Sequence, residues 1–207
     1  MKRPATTYQV SPNNPCPFLR ALVAEGILDN TVSTIGDATE AIERVAASGE
    51  GSPSLPSLAI RLIAVLANGL GPATVLQSAM SGVKLNALRN GPFDKKGAGS
   101  RILTSRAIVS EPQLERLKQF ASAKIPAEGR AELGLDAAEL QAMMDANYDR
   151  AVGRRRLLDR TIMEGEWPIL LEVMGKPGKQ GRYLSLKEIR TLFVERRLPD
   201  RMIKRLA

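Results

Sequence analysis

The 207-residue chain contains no histidine. Histidine is the commonest general base in enzymes, a frequent metal ligand and the central residue of Ser-His-Asp triads. Its absence excludes histidine-ligated haem, zinc sites built on histidine and any mechanism that uses an imidazole. Acid–base chemistry in this protein therefore falls to glutamate, aspartate, lysine or tyrosine.

Cysteine occurs once, at Cys16, and aromatic residues make up only 4% of the chain. A single cysteine excludes an intramolecular disulfide framework and is compatible with a reducing compartment. Residues 1–14 contain no apolar run of the kind found in signal peptides. The longest apolar stretch, residues 58–66, is interrupted by Arg61 and is too short to cross a bilayer. We therefore expect a cytoplasmic protein with no membrane span.

Hydrophobic residues make up 43% of the chain, which suits one domain with a sizeable core. Apolar residues recur at helical spacing in most segments, and we find neither strand-like alternation nor an internal repeat. The sequence therefore predicts an all-α fold, a single compact domain of about eight to ten helices. We expect an extended arm over residues 1–14, the helical domain over 15–199 and a basic tail over 200–207. The main helices are expected at residues 17–25, 38–47, 57–68, 73–82, 111–123, 136–157, 161–174 and 185–197.

The formal net charge of +8 indicates an anionic partner such as nucleic acid, an anionic lipid surface or the propionates of a porphyrin. A basic, soluble surface with no specific partner is the alternative. Arginines cluster at residues 154–156 and again in the C-terminal tail, and basic patches of this kind follow phosphate backbones. However, the chain has no recognition-helix motif and few aromatics for base stacking. These absences disfavour nucleic acid as the partner.

Cys16 stands between two prolines, Pro15 and Pro17. A residue before proline is pushed into an extended conformation, and proline is well suited to the first position of a helix. Cys16 is therefore predicted to be the N-cap of a helix that Gly26 ends. A sulfur at that position faces the positive end of the helix dipole, which stabilises a metal-ligating or nucleophilic thiolate. The alternative is a buried, inert thiol that packs as a small apolar residue.

Two motifs near the ends of the chain resemble one family. Pro15-Cys16-Pro17, followed by Leu19, Leu22 and Gly26, is similar to the Pro-Cys-Pro-x-Leu-x-x-Leu-Ala-x-x-Gly start of the haem-thiolate peroxidases, the family of chloroperoxidase and the unspecific peroxygenases. Residues 193–199, FVERRLP, resemble the closing Phe-x-x-Glu-Arg-Leu-Pro of that family. The resemblance implies helices around a haem b pocket, with the Cys16 thiolate as the axial ligand of the haem iron.

The resemblance also implies a distal acid–base, which in the family is a glutamate at a helix start. By position this is Glu166, and Glu164 is the second candidate. An apolar setting beside Trp167 would favour the protonated carboxyl, as a proton shuttle requires. The alternative is that both glutamates only favour the N-terminal turn of a helix.

The middle of the chain departs from the family. Members of that family carry a magnesium site beside a haem propionate. The stretch of this chain that corresponds to it is residues 93–106. Asp94 and Ser100 are the candidates for that site, but the family's glutamate and histidine are absent, which suits Mg²⁺ poorly. We instead expect Lys95, Lys96 or Arg101 to neutralise a propionate directly. A solvated basic loop is the alternative.

The resemblance therefore implies an oxidoreductase, a haem-dependent peroxidase or peroxygenase. Its partners would be hydrogen peroxide and a small organic substrate. One alternative is a relative of that family that binds haem, or serves a structural or interaction role, without the activity. Another is a basic helical module that binds nucleic acid, which is supported by charge alone.

Overall fold

The fold mixes helices with two antiparallel sheets, so the predicted all-α class is wrong. The structure is a computed structural model, and it describes residues 10–49, 61, 65, 68–89, 91, 94 and 98–206. Within these residues there are eight α-helices and six strands. The strands are two to five residues long. Segments this short are invisible to a search for alternating polarity, which needs about four to eight residues.

The N-terminal half contains three of these helices and the smaller sheet. They are α1 (Pro17–Ala24), α2 (Ile35–Ala47) and α3 (Pro72–Ser81). Strand β1 (Val32–Ser33) pairs with β2 (Val83–Lys84) in antiparallel fashion. Together, β1 and β2 join the start of α2 to the end of α3.

The C-terminal half begins with a helix–hairpin–helix unit. It consists of α4 (Glu111–Glu115) with a following 3₁₀ turn, β3 (Ser122–Lys124), β4 (Glu132–Leu135) and α5 (Ala137–Asp149). The sequence predicted one helix over 111–123 and a loop over 125–135. The helix ends earlier because the chain turns into β3, and the loop contains β4.

A second helix–hairpin–helix unit follows. It consists of α6 (Asp159–Met174), β5 (Lys176–Gly178), β6 (Gly181–Ser185) and α7 (Leu186–Arg190), which continues as a π-helical turn over Thr191–Glu195. The last helix, α8 (Asp200–Leu206), lies in the predicted tail and buries Met202.

The two hairpins share one sheet, in the order β3-β4-β6-β5. At its centre Gly134 pairs with Ser185 and Leu135 with Leu184. A Cβ on Gly134 would lie 2.4 Å from the ring of Tyr183, so the close approach of β4 and β6 needs glycine there. The two units have the same order of elements and share one sheet, so they form a structural repeat. No repeat was visible in the sequence.

The core lies between the sheet and the helices. Leu135, Leu184, Met143, Met163 and Ile189 are all buried there, and the rings of Trp167 and Phe193 stack with centroids 6.4 Å apart. The N-terminal half packs on the second unit: α1 contacts the π-helical turn, and α2 contacts α6 and α8.

The helix predicted over 57–68 lies outside the described residues, apart from helical positions 61 and 65 and a turn at Asn68. The predicted first helix is confirmed, as α1 ends at Ala24 and Gly26 adopts a positive φ of 69°. At the end of the predicted N-terminal arm, Val10 and Asn14 are buried. Within the described ranges, every helix is too short or too polar to cross a membrane.

Candidate functional site

Cys16 occupies the N-cap position of α1 in an extended conformation, with φ −81° and ψ 115°. Its amide donates a hydrogen bond to Oδ1 of Asn14 at 3.1 Å, and its carbonyl oxygen accepts the amide of Arg20 at 3.0 Å. The residue is half-buried. These features confirm the helix-cap geometry predicted from the two flanking prolines.

Arg20 lies four residues after Cys16, within α1, and is only 2% exposed. Its Nη2 donates to the carbonyl oxygen of Ala107 at 3.5 Å, a long contact. Its Nη1 is buried and has no hydrogen-bond partner among the described residues. Burial and the charges of Arg196 and Arg89 lower the pKa of Arg20 to about 10, and Cys16 acts in the opposite direction. Arg20 is therefore a buried cation that the described part of the chain satisfies only in part.

Two further buried donors belong to Asn14, which lies two residues before Cys16, and to Arg89, whose charge acts on Arg20. The amide of Arg89 donates to the carbonyl oxygen of Asn13 at 2.8 Å, which places Arg89 beside the segment that leads into Cys16. Nε of Arg89 and Nδ2 of Asn14 are both buried without a hydrogen-bond partner among the described residues. Asn14 itself is 0% exposed.

One tight turn holds the two guanidinium groups together. The amide of Ala107 donates to the carbonyl oxygen of Thr104 at 2.8 Å, which closes the turn. Nη2 of Arg89 donates to Thr104 O at 3.2 Å, and Arg20 donates to Ala107 O. Ala107 adopts a left-handed φ of 58° to complete the turn. The shared turn therefore holds the guanidinium groups of Arg20 and Arg89 near each other.

We call Asn14, Cys16, Arg20, Arg89 and Arg196 the Cys16 site. Arg196 follows the π-helical turn with a φ of 56° and is exposed at the edge of this group. The carboxylate of Asp94 also reaches this group, since its Oδ1 lies 3.3 Å from Nη1 of Arg89. A buried donor without a partner costs about 1–3 kcal/mol, and more when it is charged. An anion bound among these donors would remove that cost.

The glutamates predicted as the distal acid–base lie elsewhere. Glu164 and Glu166 are both exposed on α6, and Nε of Arg160 donates to Oε1 of Glu164 at 2.7 Å. Trp167, whose apolar surroundings were expected to enclose Glu166, points into the core against Phe193. The residues around Cys16 fit a thiolate ligand, but these exposed glutamates do not fit the enclosed distal side of a haem site.

The predicted magnesium and propionate residues have structural contacts or lie outside the described residues. Asp94 is buried, binds Arg89 and accepts a hydrogen bond from Arg156 at its carbonyl oxygen. Ser100 accepts Nη2 of Arg150 at its carbonyl oxygen at 2.9 Å. Arg101 is exposed with a φ of 59°. Lys95 and Lys96 lie outside the described residues. Across the described ranges, three acidic or cysteine side chains do not converge anywhere to hold a metal ion.

The helix–hairpin–helix units raise the question of calcium, because an EF-hand is also a helix–loop–helix unit. Its loop takes side-chain ligands at positions 1, 3 and 5 and a glutamate at 12. With Glu139 and Glu188 at the last position, the earlier three are Glu128, Arg130 and Glu132 in one unit and Pro177, Lys179 and Gly181 in the other.

In both units the acidic side chains already form ion pairs with lysine or arginine side chains of the same chain. Nζ of Lys124 lies 2.5 Å from Asp136 and 2.8 Å from Glu139, and Nη2 of Arg201 lies 2.8 Å from Glu188. These ion pairs use the acidic groups that a calcium ion would need. We conclude that the two units do not fit a calcium site.

The arginine cluster at residues 154–156 is largely engaged within the chain. The guanidinium of Arg155 lies 4.1 Å from the ring centroid of Tyr148, and its Nε donates to Tyr148 O at 2.8 Å. Arg156 binds the buried carboxylate of Asp159 at 3.1 Å. Because these contacts engage the guanidinium groups of Arg155 and Arg156 within the chain, the cluster offers fewer groups to a phosphate backbone than the sequence indicated.

No family model, curated protein or solved structure matches this chain. The resemblance to haem-thiolate peroxidases therefore stays a prediction from motifs near the two ends of the sequence. The sequence did not single out Arg20, although a charged residue among Leu19, Ala21 and Leu22 was a visible signal. Arg89 carried no such signal, because only the folded chain brings it to this part of the protein, and Asn14, two residues before Cys16, was not singled out either.

Proposed function

We propose that this protein binds a small oxyanion, of the carboxylate or phosphate class, at the Cys16 site. The observation that supports the proposal is the buried Nη1 of Arg20, which has no hydrogen-bond partner among the described residues. Charged groups inside proteins are normally paired and hydrogen-bonded, because isolating a charge from water is costly. A bound anion supplies the missing partner.

The chemistry of the donors favours an oxyanion over a neutral ligand. The site offers three buried N–H donors, Nη1 of Arg20, Nε of Arg89 and Nδ2 of Asn14, and two of them belong to cations. Guanidinium groups match the planar, multidentate geometry of carboxylate and phosphate oxygens. The charge of Arg196 at the edge attracts an anion from solution.

Thermal unfolding in the presence of oxyanions tests the proposal. Sodium phosphate and sodium acetate should raise the Tm of the wild-type protein above its value in sodium chloride of matched ionic strength, because a ligand stabilises the state that binds it. Arg20→Met removes the charge but keeps an apolar stem, and it should abolish the difference.

Arg130→Met is the matched control, since it removes one positive charge from an exposed position in the β3–β4 hairpin. This variant should keep the full oxyanion effect. An identical Tm for the wild type in phosphate, acetate and chloride would contradict the proposal.

Haem-thiolate peroxidase chemistry is the second hypothesis, favoured by the helix-cap position of Cys16 and by the buried Arg20 in the same helix. Cys16 would hold the haem iron through its thiolate, and Arg20 or Arg89 would meet the propionates. When bound, the haem would supply the oxidation of a small organic substrate by peroxide. The exposed glutamates of α6 give this hypothesis no support on the distal side.

Spectroscopy decides between the two hypotheses. Protein purified from haem-supplemented cells would show a Soret band and a thiolate-type ferrous–CO spectrum, both lost in Cys16→Ala. Absence of haem from the purified wild-type protein would end this hypothesis and leave oxyanion binding intact. If haem is bound, the absence of peroxide turnover would identify a haem-binding protein without the activity.

A further inference from the structure

We propose that the loop between α5 and α6, residues 150–158, docks on the surface of an anionic lipid bilayer. Leu157 is 95% exposed and Val152 is 73% exposed, and Leu158 is exposed as well. Arg154 lies between them in the chain and is also exposed. Single exposed apolar residues are ordinary, but three of them in one short loop mark an interaction surface.

Contacts within the chain hold this loop in the shape that exposes Leu157. The guanidinium of Arg155 lies 4.1 Å from the ring centroid of Tyr148, and its Nε donates to the carbonyl oxygen of Tyr148 at 2.8 Å. The amide of Arg156 donates to Oδ2 of Asp159 at 3.0 Å, and its Nε donates to Oδ1 of the same buried carboxylate at 3.1 Å. Leu157 directly follows this anchored arginine, so its exposure belongs to a defined turn of the chain.

Arg154 supplies positive charge in the middle of the loop. The two arginines that follow it are paired, since Arg155 lies 3.5 Å from Asp149 and Arg156 lies 3.1 Å from Asp159. The side chain of Arg154, in contrast, forms no hydrogen bond or ion pair with the residues that the structure describes. Its charge is therefore available to a lipid phosphate next to the exposed apolar side chains.

The surface that adjoins the start of the loop is also positive. Arg150 donates from Nη1 to Oε1 of Gln113 at 2.5 Å and from Nη2 to the carbonyl oxygen of Ser100 at 2.9 Å, and both acceptors are neutral. Arg101 follows Ser100 in the chain, and Arg116 lies three residues after Gln113. Burial, followed by the charges of Arg116 and Arg101, lowers the pKa of Arg150 to about 10. An anionic surface placed against this region relieves the repulsion among these cations.

An anionic bilayer matches both features of the loop at once. Aliphatic side chains enter the boundary between headgroups and acyl chains, and arginine binds the headgroup phosphates. Nucleic acid would use the arginines but has no place for the three apolar side chains, and the ring of Tyr148, which could stack on a base, is covered by Arg155. A second copy of this chain would cover the leucines but would bring a second Arg154 to the interface, where like charges repel.

Sedimentation with lipid vesicles tests the proposal. Wild-type protein is mixed with sucrose-loaded vesicles of phosphatidylcholine alone, or of phosphatidylcholine with an equal part of phosphatidylglycerol, and the bound fraction is measured after centrifugation. We expect binding to the mixed vesicles and little binding to phosphatidylcholine alone. Sodium chloride should weaken the binding, because salt screens the attraction between arginine and the headgroups.

Substitutions in the loop make the test specific. Leu157→Ser should lower the partition coefficient on mixed vesicles by about tenfold, since it removes an apolar side chain from the bilayer boundary. Arg154→Gln should lower it by about fivefold, the effect of one arginine near an anionic surface. Leu76→Ser in α3 and Arg130→Gln in the β3–β4 hairpin are the matched controls, because both residues are exposed outside the loop. Both controls should bind as the wild type does.

Four results would overturn the proposal. One is wild-type protein that stays in the supernatant with mixed vesicles. Another is vesicle binding that Leu157→Ser and Arg154→Gln, both folded by circular dichroism, leave unchanged. The third is a dimer in analytical ultracentrifugation that Leu157→Ser dissociates, which would assign the loop to a second copy of this chain. The fourth is tight RNA binding that Arg154→Gln weakens and Leu157→Ser does not, which would assign the loop to nucleic acid.

The docking of this loop does not rest on oxyanion binding, because the Cys16 site contains no residue of the loop. Arg20→Met should sediment with mixed vesicles as the wild type does, and Leu157→Ser should keep the phosphate effect on Tm. The two proposals can therefore fail separately.

Discussion

Arg20 and Cys16 are joined through the backbone at the start of a short helix. The amide of Arg20 donates to the carbonyl oxygen of Cys16 at 3.0 Å, and Arg20 is only 2% exposed. A cation that is so well buried needs an anionic partner. A bound oxyanion is such a partner.

The stability of Arg20 variants in buffer without oxyanions should show that the guanidinium serves a ligand more than the fold. We expect Arg20→Met to change the free energy of unfolding by less than about 1 kcal/mol, because an apolar stem replaces a partly satisfied buried charge. Arg20→Ala should lower it by about 2–3 kcal/mol, since it leaves a cavity. Urea titrations measure both. Equal losses in the two variants would mean that the guanidinium itself holds the fold.

Lys124 should stabilise the first helix–hairpin–helix unit. It is 5% exposed, and its ammonium group lies 2.5 Å from Asp136 and 2.8 Å from Glu139. We expect Lys124→Met to lower the free energy of unfolding by about 1–3 kcal/mol, because two carboxylates lose their cation and Asp136 is only partly shielded from water. Lys118→Met removes an exposed ion pair with Glu115 and should cost less than about 0.5 kcal/mol. Similar effects of the two substitutions in urea titrations would refute this role.

Protonation of Glu132 should lower the stability of the protein in acid. Burial opposes its ionisation, but hydrogen bonds from Lys176, Ser185 and Tyr183 hold the pKa of Glu132 below its ordinary value. A lowered folded-state pKa adds stability above the unfolded value of about 4.3, and that stability is lost as pH falls through the folded value. We expect Glu132→Gln to be less stable at neutral pH and to lose less of its remaining stability in acid. Urea titrations between about pH 7 and pH 3 measure both slopes. Parallel pH curves for the two proteins would exclude this contribution.

Calcium should not change the Tm of the protein. The acidic groups at the ends of the two hairpins are already bound to Lys124 and Arg201, so a divalent cation would have to displace them. We expect the same Tm with calcium chloride, with magnesium chloride and with a chelator, at constant ionic strength. A calcium-dependent rise in Tm would show that the ion pairs are exchanged for metal.

The start of α1 was predictable because its causes are local. Two prolines fix the backbone on either side of Cys16, and a glycine after the helix ends it. Asp136 was likewise predicted to open a helix, and its side chain accepts the amide of Glu139 in a capping box. Each of these elements depends on residues within a few positions of one another.

The shared sheet was not predictable because its causes are distant. Leu135 and Leu184 become partners only when two hairpins almost fifty residues apart are aligned. The same reasoning applies to the candidate site. The helix-cap position of Cys16 could be predicted from its neighbours, but Arg89 comes near Arg20 only through the turn of residues 104–107. Glu166 was assigned by motif order alone, and its helix presents it to solvent.

A phosphate titration followed by NMR tests oxyanion binding at the Cys16 site most directly. The backbone amides of Cys16 and Arg20 and the Nε–H of Arg20 and Arg89 report from within the site. We expect these signals to shift and saturate together as inorganic phosphate is added at constant ionic strength, and to stay still in Arg20→Met. Signals that do not saturate, or that move equally at the exposed Arg130, would contradict oxyanion binding at this site.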